Sequence, residues 1–346
     1  MQILYVLLAV LGFGVLIFIH ELGHFIAARL CHVTVYEFAI GMGPKLVWYE
    51  SKKTGITYSL RMFPIGGYVS MAGEDDDSED ANALPKKRPW QRLIITAAGA
   101  VMNLLLGFLL IIAYVIATPA GSTTVAEISD KYEMSDAPLE DRLLIGDEII
   151  KVGGTRVHIA SELFYEISRK GIEPIDLTVN RNGQTVVLKD VVFPTFESEG
   201  QTFGDAFFRV AAIEKDVGTV LHQSFYSGVY MVKMVYTTLF DLLTGRFTVA
   251  AVSGPIGAAA AMSTVASQSL ISFLYLLAAI SINLGVFNLF PIPALDGFRI
   301  LFILIEMVRR KPVPEKYERA INQAGLLVLL GLMLVIACKD IFQLFG

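Results

Sequence analysis

Two histidines and a glutamate stand close together in the segment IFIHELGH, residues 17–24. In a helix, residues four apart lie on one face, about 6 Å apart along the axis. His20 and His24 can therefore bind one metal ion, and Glu21 can reach a water held by that ion. This is the His-Glu-x-x-His arrangement, with two zinc ligands and a general base on one helical turn. The spacing predicts a hydrolytic site in which a zinc-activated water attacks a peptide and Glu21 accepts its proton.

A catalytic zinc site usually has three protein ligands and one open position, and the third ligand does not lie near this motif. Asp296 is the candidate, because it is an acid in an apolar stretch that Pro291 and Pro293 interrupt. A carboxylate in such a stretch needs a cationic partner, and zinc would supply the charge. A glutamate on another helix remains the alternative third ligand. Glu306 and Asp340 lie at the ends of apolar segments, where solvation is the simpler explanation.

The elements around these residues are predicted to cross a membrane. The chain has 346 residues, of which 54% are hydrophobic and only 18% are charged. The apolar residues form four blocks, at about 3–28, 93–117, 270–290 and 324–345, and a membrane span takes about 20 residues of helix. The net charge of −5 and the absence of a basic, aromatic-rich stripe indicate no nucleic-acid partner. The two cysteines form no disulfide framework.

Lysine and arginine residues concentrate in the loops at about 29–92 and 309–319. Positive charge favours the cytoplasmic side, so the segment from about 118 to 270 is expected outside. The fold class is thus an α-helical integral membrane protein with about four transmembrane helices. It would divide into the first two membrane helices with a cytoplasmic hairpin loop (1–117), an extracytoplasmic domain (118–200), an amphipathic connector at the membrane surface (201–269) and the last two membrane helices (270–346).

Two parts of the sequence are typical of β-structure. Residues 33–50 and 56–63 are β-rich runs joined by 51–55, which predicts a membrane-associated β-hairpin loop. Further on, strand-like segments surround one short helix at Ser161–Lys170, and Asn182-Gly183 forms a favoured hairpin turn. This pattern is compatible with an inserted PDZ-like β/α domain, a peptide-binding module. The acidic run Glu74–Asp80 is expected to be a solvated loop.

HELGH at the end of the first span and NLFPIPALDG late in the chain together resemble the site-2 protease family of intramembrane zinc metalloproteases. The order of segments looks like the regulator-of-sigma-E protease branch. The resemblance implies that His20, His24 and Asp296 bind one Zn²⁺ and that Glu21 is the base.

The resemblance also implies residues that hold the substrate. These are Asn288, the segment from Pro291 to Pro293, and a re-entrant loop around Gly41 and Gly43 that pairs with the substrate backbone. Asn103 matches the asparagine of a family pattern in the second span. It could donate to the oxyanion of the reaction or pack between helices.

The function that the resemblance implies is cleavage of transmembrane segments in single-span membrane proteins, such as pre-trimmed anti-sigma factors or signal-peptide remnants. The enzyme would be a multi-pass protein of the bacterial cytoplasmic membrane. Its active site would lie towards the cytoplasm and its PDZ-like domain outside, with the oligomeric state left open. The alternative is a non-enzymatic membrane adaptor that binds peptides through the PDZ-like domain, against which the intact Glu21 argues.

Overall fold

The computed structural model describes residues 2–74, 78–129, 142–198, 201–245, 254–311 and 313–345. Part of the predicted acidic loop (75–77), part of the predicted PDZ-like domain (130–141) and part of the connector (246–253) lie outside them. The chain divides into two compact units, Met1–Leu110 with Val235–Gly346, and Ile111–Met234.

The first unit holds most of the helices. Its elements are α1 (Gln2–Leu30), β1 (Val35–Glu50), β2 (Thr57–Met71), a 3₁₀ turn (Leu84–Lys86), most of α2 (Pro89–Ala117), α5 (Pro255–Gln268), α6 (Leu270–Leu289), α7 (Asp296–Arg309) and α8 (Glu315–Phe345). The second unit holds β3 (Ala120–Ile128), β4 (Glu148–Val152), β5 (Thr155–Arg156), α3 (Ala160–Lys170), β6 (Ile175–Arg181), β7 (Gln184–Val191), β8 (Thr195–Ser198), β9 (Gln201–Gly204), β10 (Phe208–Ile213) and most of α4 (Val217–Leu243).

Four helices in the described part of the chain are long and apolar enough to cross a membrane. They are Leu4–Leu30, Pro89–Ala117, Leu270–Leu289 and Lys316–Asp340, which confirms the four predicted blocks. The last helix begins before the predicted start near residue 324, because its polar first turns continue into the apolar part as one helix. A helix that is apolar on all sides suits a lipid environment.

Helix α2 lies between α1 and α6, and glycines allow both contacts. A Cβ added at Gly23 of α1 would lie 2.4 Å from the Ala98 carbonyl oxygen of α2. A Cβ at Gly285 of α6 would lie 2.9 Å from the Ala100 carbonyl oxygen. Residues two apart lie on nearly opposite sides of a helix, so α1 and α6 approach α2 from two sides. Small residues at such contacts let membrane helices pack backbone to backbone.

Strands β1 and β2 confirm the predicted hairpin but form a wider sheet than expected. Residues 37–40 of β1 pair with 57–60 of β2 and also with 67–70, because both strands bend back on themselves. The sheet therefore has four segments, in the order 45–50, 57–61, 35–40 and 67–71. The inner part packs on α1 through Ala27, Val35 and Phe38. The outer part exposes large apolar side chains, among them Leu46, Val47, Trp48 and Phe63.

The second unit is a sheet in the order β10-β3-β4-β6-β7, with β5 beside β4. Its core includes Leu163 and Ile167 of α3 and Leu177 of β6. The predicted two-residue turn is present, because Arg181 pairs with Gln184 across Asn182 and Gly183, which both have positive φ. The sheet continues past residue 200, since β10 pairs with β3.

Helix α4 joins the second unit through an ionised glutamate of α3. Glu166 is 4% exposed, and Lys170 and Lys233 lie 2.8 and 2.6 Å from its carboxylate oxygens. Burial raises the pKa of Glu166, but the hydrogen bonds from Lys170 and Lys233 outweigh burial and hold the pKa below its ordinary value. The carboxylate is therefore ionised at neutral pH and, through Lys233, ties the middle of α4 to α3.

Two acids at span ends differ from the expectation of simple solvation. Asp340 is 4% exposed and accepts a hydrogen bond from the Gly257 backbone N–H at 2.8 Å, at the start of α5. Glu306 of α7 pairs with Arg92 of α2 at 2.8 Å. Solvation was therefore the wrong explanation. Each acid finds a donor on a helix that is distant in the sequence, as partly buried charges require.

Candidate metal centre

The three predicted ligands converge at one point. His20 and His24 lie one turn apart on α1, and their Nε2 atoms are 3.3 Å apart. Asp296 begins α7, and its Oδ2 lies 3.2 Å from His20 Nε2 and 3.3 Å from His24 Nε2. All three side chains are largely buried, between 12% and 21% exposed. The three atoms form a nearly equilateral triangle.

Hydrogen bonds on the far side of each imidazole ring direct Nε2 into this triangle. His24 Nδ1 donates to the Ile95 carbonyl oxygen at 2.8 Å, which leaves Nε2 with a lone pair. His20 Nδ1 lies 3.3 Å from the Asn103 side-chain amide. Asn103 is 1% exposed, and its Oδ1 has no partner among the described residues. Turning the side-chain amide of Asn103 over makes Oδ1 the acceptor for His20 Nδ1–H.

The triangle fits a zinc ion. Ligands at 2.0–2.1 Å in tetrahedral geometry lie about 3.3 Å from one another, as these three atoms do. Asp296 Oδ2 is buried and has no hydrogen-bond partner among the described residues. Two lone pairs and a carboxylate oxygen at this spacing repel each other unless a cation lies between them. In the described part of the chain these are the one group of three or more His, Cys, Asp or Glu side chains close enough to hold a metal.

One face of α2 shapes the site without supplying a ligand. Ile95, Gly99 and Asn103 follow each other at four-residue spacing and therefore share a face. A Cβ at Gly99 would lie 2.3 Å from His24 Nε2 and 2.9 Å from His20 Nε2. Any side chain at position 99 would collide with the ligand atoms, so glycine leaves the space that the metal requires.

A strained turn positions the third predicted ligand, Asp296. Helix α6 ends at Leu289, and the segment that contains the two prolines turns the chain before α7, as expected for proline. Ala294 has φ +75°, a left-handed conformation that costs a non-glycine residue about 1 kcal/mol. A Cβ at Gly297 would lie 2.1 Å from the Phe290 carbonyl oxygen, so the turn closes tightly on itself. The strain lies two residues before Asp296, as is common at functional sites.

Glu21 lies in the same cavity as the three ligands. This cavity, of about 210 Å³, is also lined by Tyr68, Val69 and Met71 of β2. A Cβ at Gly67 would lie 3.1 Å from Glu21 Cγ, so the last segment of β2 passes directly beside the predicted base. A water and part of a peptide would both fit near Glu21.

Asn103 contacts His20, but the other residues that the resemblance implied for substrate binding do not line this cavity. Gly41 and Gly43 have positive φ and form the bend in β1, but they are not among the residues that line this cavity, and neither are Asn288, Pro291 and Pro293. Part of the cavity wall comes from Tyr68, Val69 and Met71 of β2. In the sequence, the Pro-Ile-Gly-Gly run at residues 64–67 marks the start of this segment.

The acidic run begins with a residue that is not simply solvated. Glu74 forms an ion pair with Arg299 of α7, and its side chain is 16% exposed. Both side chains line the metal cavity and also a neighbouring cavity of about 330 Å³. The expectation of a solvated loop was wrong for Glu74, and its sequence neighbours hold no sign of the contact because Arg299 lies 225 residues away.

Replacement of Asn103 by leucine tests whether this residue orients the His20 ring or stabilises the oxyanion of the reaction. The dissociation constant for the metal should rise about 10–100-fold, because His20 loses the group that orients its ring. Metal affinity is measured by chelator competition, alongside the rate of peptide cleavage. The matched control is Ser281→Ala, which removes a buried hydrogen bond to the Asn103 carbonyl oxygen without touching the imidazole. Unchanged metal affinity with a lower cleavage rate would favour the oxyanion role instead.

Comparisons with known proteins identify the family of this chain. The family model described as "Peptidase family M50" matches residues 8–332 of this chain. A protein of Clostridium perfringens named "Putative zinc metalloprotease CPE1693" is 35% identical over 342 residues, covering 98% of each chain. "Putative zinc metalloprotease CA_C1796" of Clostridium acetobutylicum is 34% identical over 340 residues, covering 97% of each chain. "Regulator of sigma-W protease RasP" of Bacillus subtilis is 27% identical over 416 residues, covering 96% of this chain and 97% of its own. The match extends over nearly the whole chain, and the chain therefore belongs to peptidase family M50, the site-2 protease family.

Proposed function

We propose that this chain is a zinc-dependent intramembrane endopeptidase that cleaves transmembrane segments of single-span membrane proteins. The observation that carries the proposal is the triangle of His20, His24 and Asp296 with Glu21 in the same cavity. His20 and His24 lie on a helix long enough to cross a membrane, and Asp296 begins α7 just after another such helix ends. Family membership makes the chain a peptidase, and the relatives' names as zinc metalloproteases support zinc as the metal.

The catalytic step assigns one task to each side chain. His20, His24 and Asp296 would hold a zinc ion, which supplies a Lewis acid for the scissile carbonyl and makes water acidic enough to ionise near neutral pH. Glu21 accepts a proton from the attacking water as its oxygen bonds to the carbonyl carbon. As the C–N bond breaks, Glu21 returns that proton to the leaving amine. A new carboxyl end and a new amino end result.

Replacement of Glu21 by glutamine tests this assignment. Cleavage of a model single-span substrate should fall about 10²–10⁴-fold, while zinc content stays at one ion per chain because Glu21 is not a ligand. The matched control is Glu50→Gln, the same change at the exposed end of β1. Asp296→Ala should lose the zinc, and retention of zinc by that variant would favour a glutamate as third ligand. Equal cleavage by wild type and Glu21→Gln would sink the proteolytic assignment and favour the adaptor.

The substrate must present an extended segment to Glu21. A transmembrane helix satisfies its own peptide groups and so hides its carbonyls. A sheet edge can capture the segment once it unwinds, by strand addition. In the described part of the chain, 67–71 pairs on one side only, with 35–40, and it lines the metal cavity. We therefore assign substrate capture to the edge 67–71 and not to the bend at Gly41 and Gly43.

Disulfide cross-linking distinguishes the two edges of the four-segment sheet. A substrate cysteine near the scissile bond should link to Tyr68→Cys in the metal cavity and not to Tyr49→Cys on the other edge. The native Cys31 and Cys338 are replaced first, and Glu21→Gln keeps the substrate intact. Cross-linked protein is measured on gels under non-reducing conditions. Efficient linkage at Tyr49 with none at Tyr68 would assign capture to the edge 45–50 instead.

The proposed setting is the bacterial cytoplasmic membrane, with the metal towards the cytoplasm. The concentration of basic residues in the loops 29–92 and 309–319 supports this orientation. The second unit, with its PDZ-like pattern of strands and helix, would then lie outside. The proposed substrates are single-span proteins such as pre-trimmed anti-sigma factors and signal-peptide remnants; the Bacillus subtilis relative is named a regulator of sigma-W protease.

Cysteine labelling of intact cells tests the orientation. A membrane-impermeant maleimide should label Arg209→Cys, which lies on an exposed position of β10, without permeabilisation. Lys52→Cys, in the exposed turn of the hairpin, should label only after permeabilisation. Both variants are made without the native cysteines. The reverse pattern would invert the topology.

A further inference from the structure

The last helix contacts the turn that precedes the third ligand. Asn322 lies in the second turn of α8, and the Ala294 backbone N–H donates a hydrogen bond to its Oδ1 at 2.6 Å. A backbone N–H can only donate, so the side-chain oxygen is assigned without ambiguity. The bond joins the turn before Asp296 to a helix that supplies no atom of the metal triangle.

The residue that donates this hydrogen bond, Ala294, is the strained one. Ala294 has φ +75°, which an alanine leaves for a negative φ unless its surroundings hold it. The neighbouring residue is held as well, because a Cβ at Gly325 of α8 would lie 2.2 Å from Pro293 Cβ. Asn322 and Gly325 lie three apart on one face of α8. Two contacts from this face therefore fix the two residues at which the turn is most constrained.

We propose that Asn322 is a positioning residue of the metal centre. By holding Ala294 in the left-handed conformation, it sets the direction of the chain into α7 and places Asp296 Oδ2 within 3.3 Å of both histidines. Without the bond, Ala294 relaxes, the peptide before Leu295 rotates, and the carboxylate leaves the triangle. The proposal rests on the proposed zinc site. It extends that site to the fourth membrane-length helix.

Two substitutions of Asn322 separate the hydrogen bond from simple packing. Asn322→Leu keeps a side chain of similar size without an acceptor, and Asn322→Asp keeps an acceptor oxygen. The full-length protein in detergent is used, with Gln323→Leu, at the exposed neighbouring position, as the matched control. The readouts are the zinc dissociation constant by chelator competition and the visible absorption of the cobalt-substituted protein, which reports ligand geometry.

Asn322→Leu should weaken zinc binding about tenfold or more and change the cobalt spectrum, while Asn322→Asp and Gln323→Leu stay close to wild type. Adding Ala294→Gly to Asn322→Leu should restore much of the affinity, because glycine adopts this φ without strain. The double variant and Asn322→Asp remain decisive if Asn322→Leu fails to fold. Wild-type affinity and spectrum in Asn322→Leu, or equal loss in Asn322→Asp, would overturn the proposal. Failure of the wild-type protein to bind zinc would instead overturn the proposed function.

Discussion

Repulsion among three predicted ligand atoms is the constraint on which the rest of this structure depends. Two imidazole nitrogens and a carboxylate oxygen lie within 3.3 Å of one another in a largely buried site. Such a cluster is unfavourable unless a cation occupies its centre. The neighbouring elements have features that maintain this arrangement, namely the tautomer-fixing bond to Ile95, the missing side chain at Gly99 and the strained turn before Asp296.

These supporting features share a physical logic. The geometry of a metal site depends on the groups that orient its ligands. Here most of those groups are backbone atoms or positions without a side chain. The Ile95 carbonyl, the space at Gly99 and the Ala294 N–H are examples. Backbone groups on packed helices move little, so three helices and one turn together hold atoms that come from opposite ends of the chain.

Access to the metal follows from the same packing. The segment 67–71 runs beside Glu21, and the Glu74–Arg299 ion pair forms part of the wall between the metal cavity and its polar neighbour. A hydrolase inside an apolar bundle needs water on one side of its metal and an extended peptide on the other. Under the proposed function, the polar cavity would admit the water and the edge 67–71 would hold the peptide.

The sequence by itself determined the features that depend on local chemistry and spacing. These are the four apolar spans, the two histidines on one helical face, the hairpin, the Asn182-Gly183 turn and the suspicion that an acid in a proline-broken apolar stretch needs a cation. Tertiary structure alone decided what depends on residues distant in sequence. The amide beside His20, the burial of Asp340, the pairing of Glu74 with Arg299 and the Asn322 bond to Ala294 all belong to this group. Periodicity and composition describe a residue's own helix or strand, whereas these contacts exist only once packed helices bring distant polar groups out of water and into reach of one another.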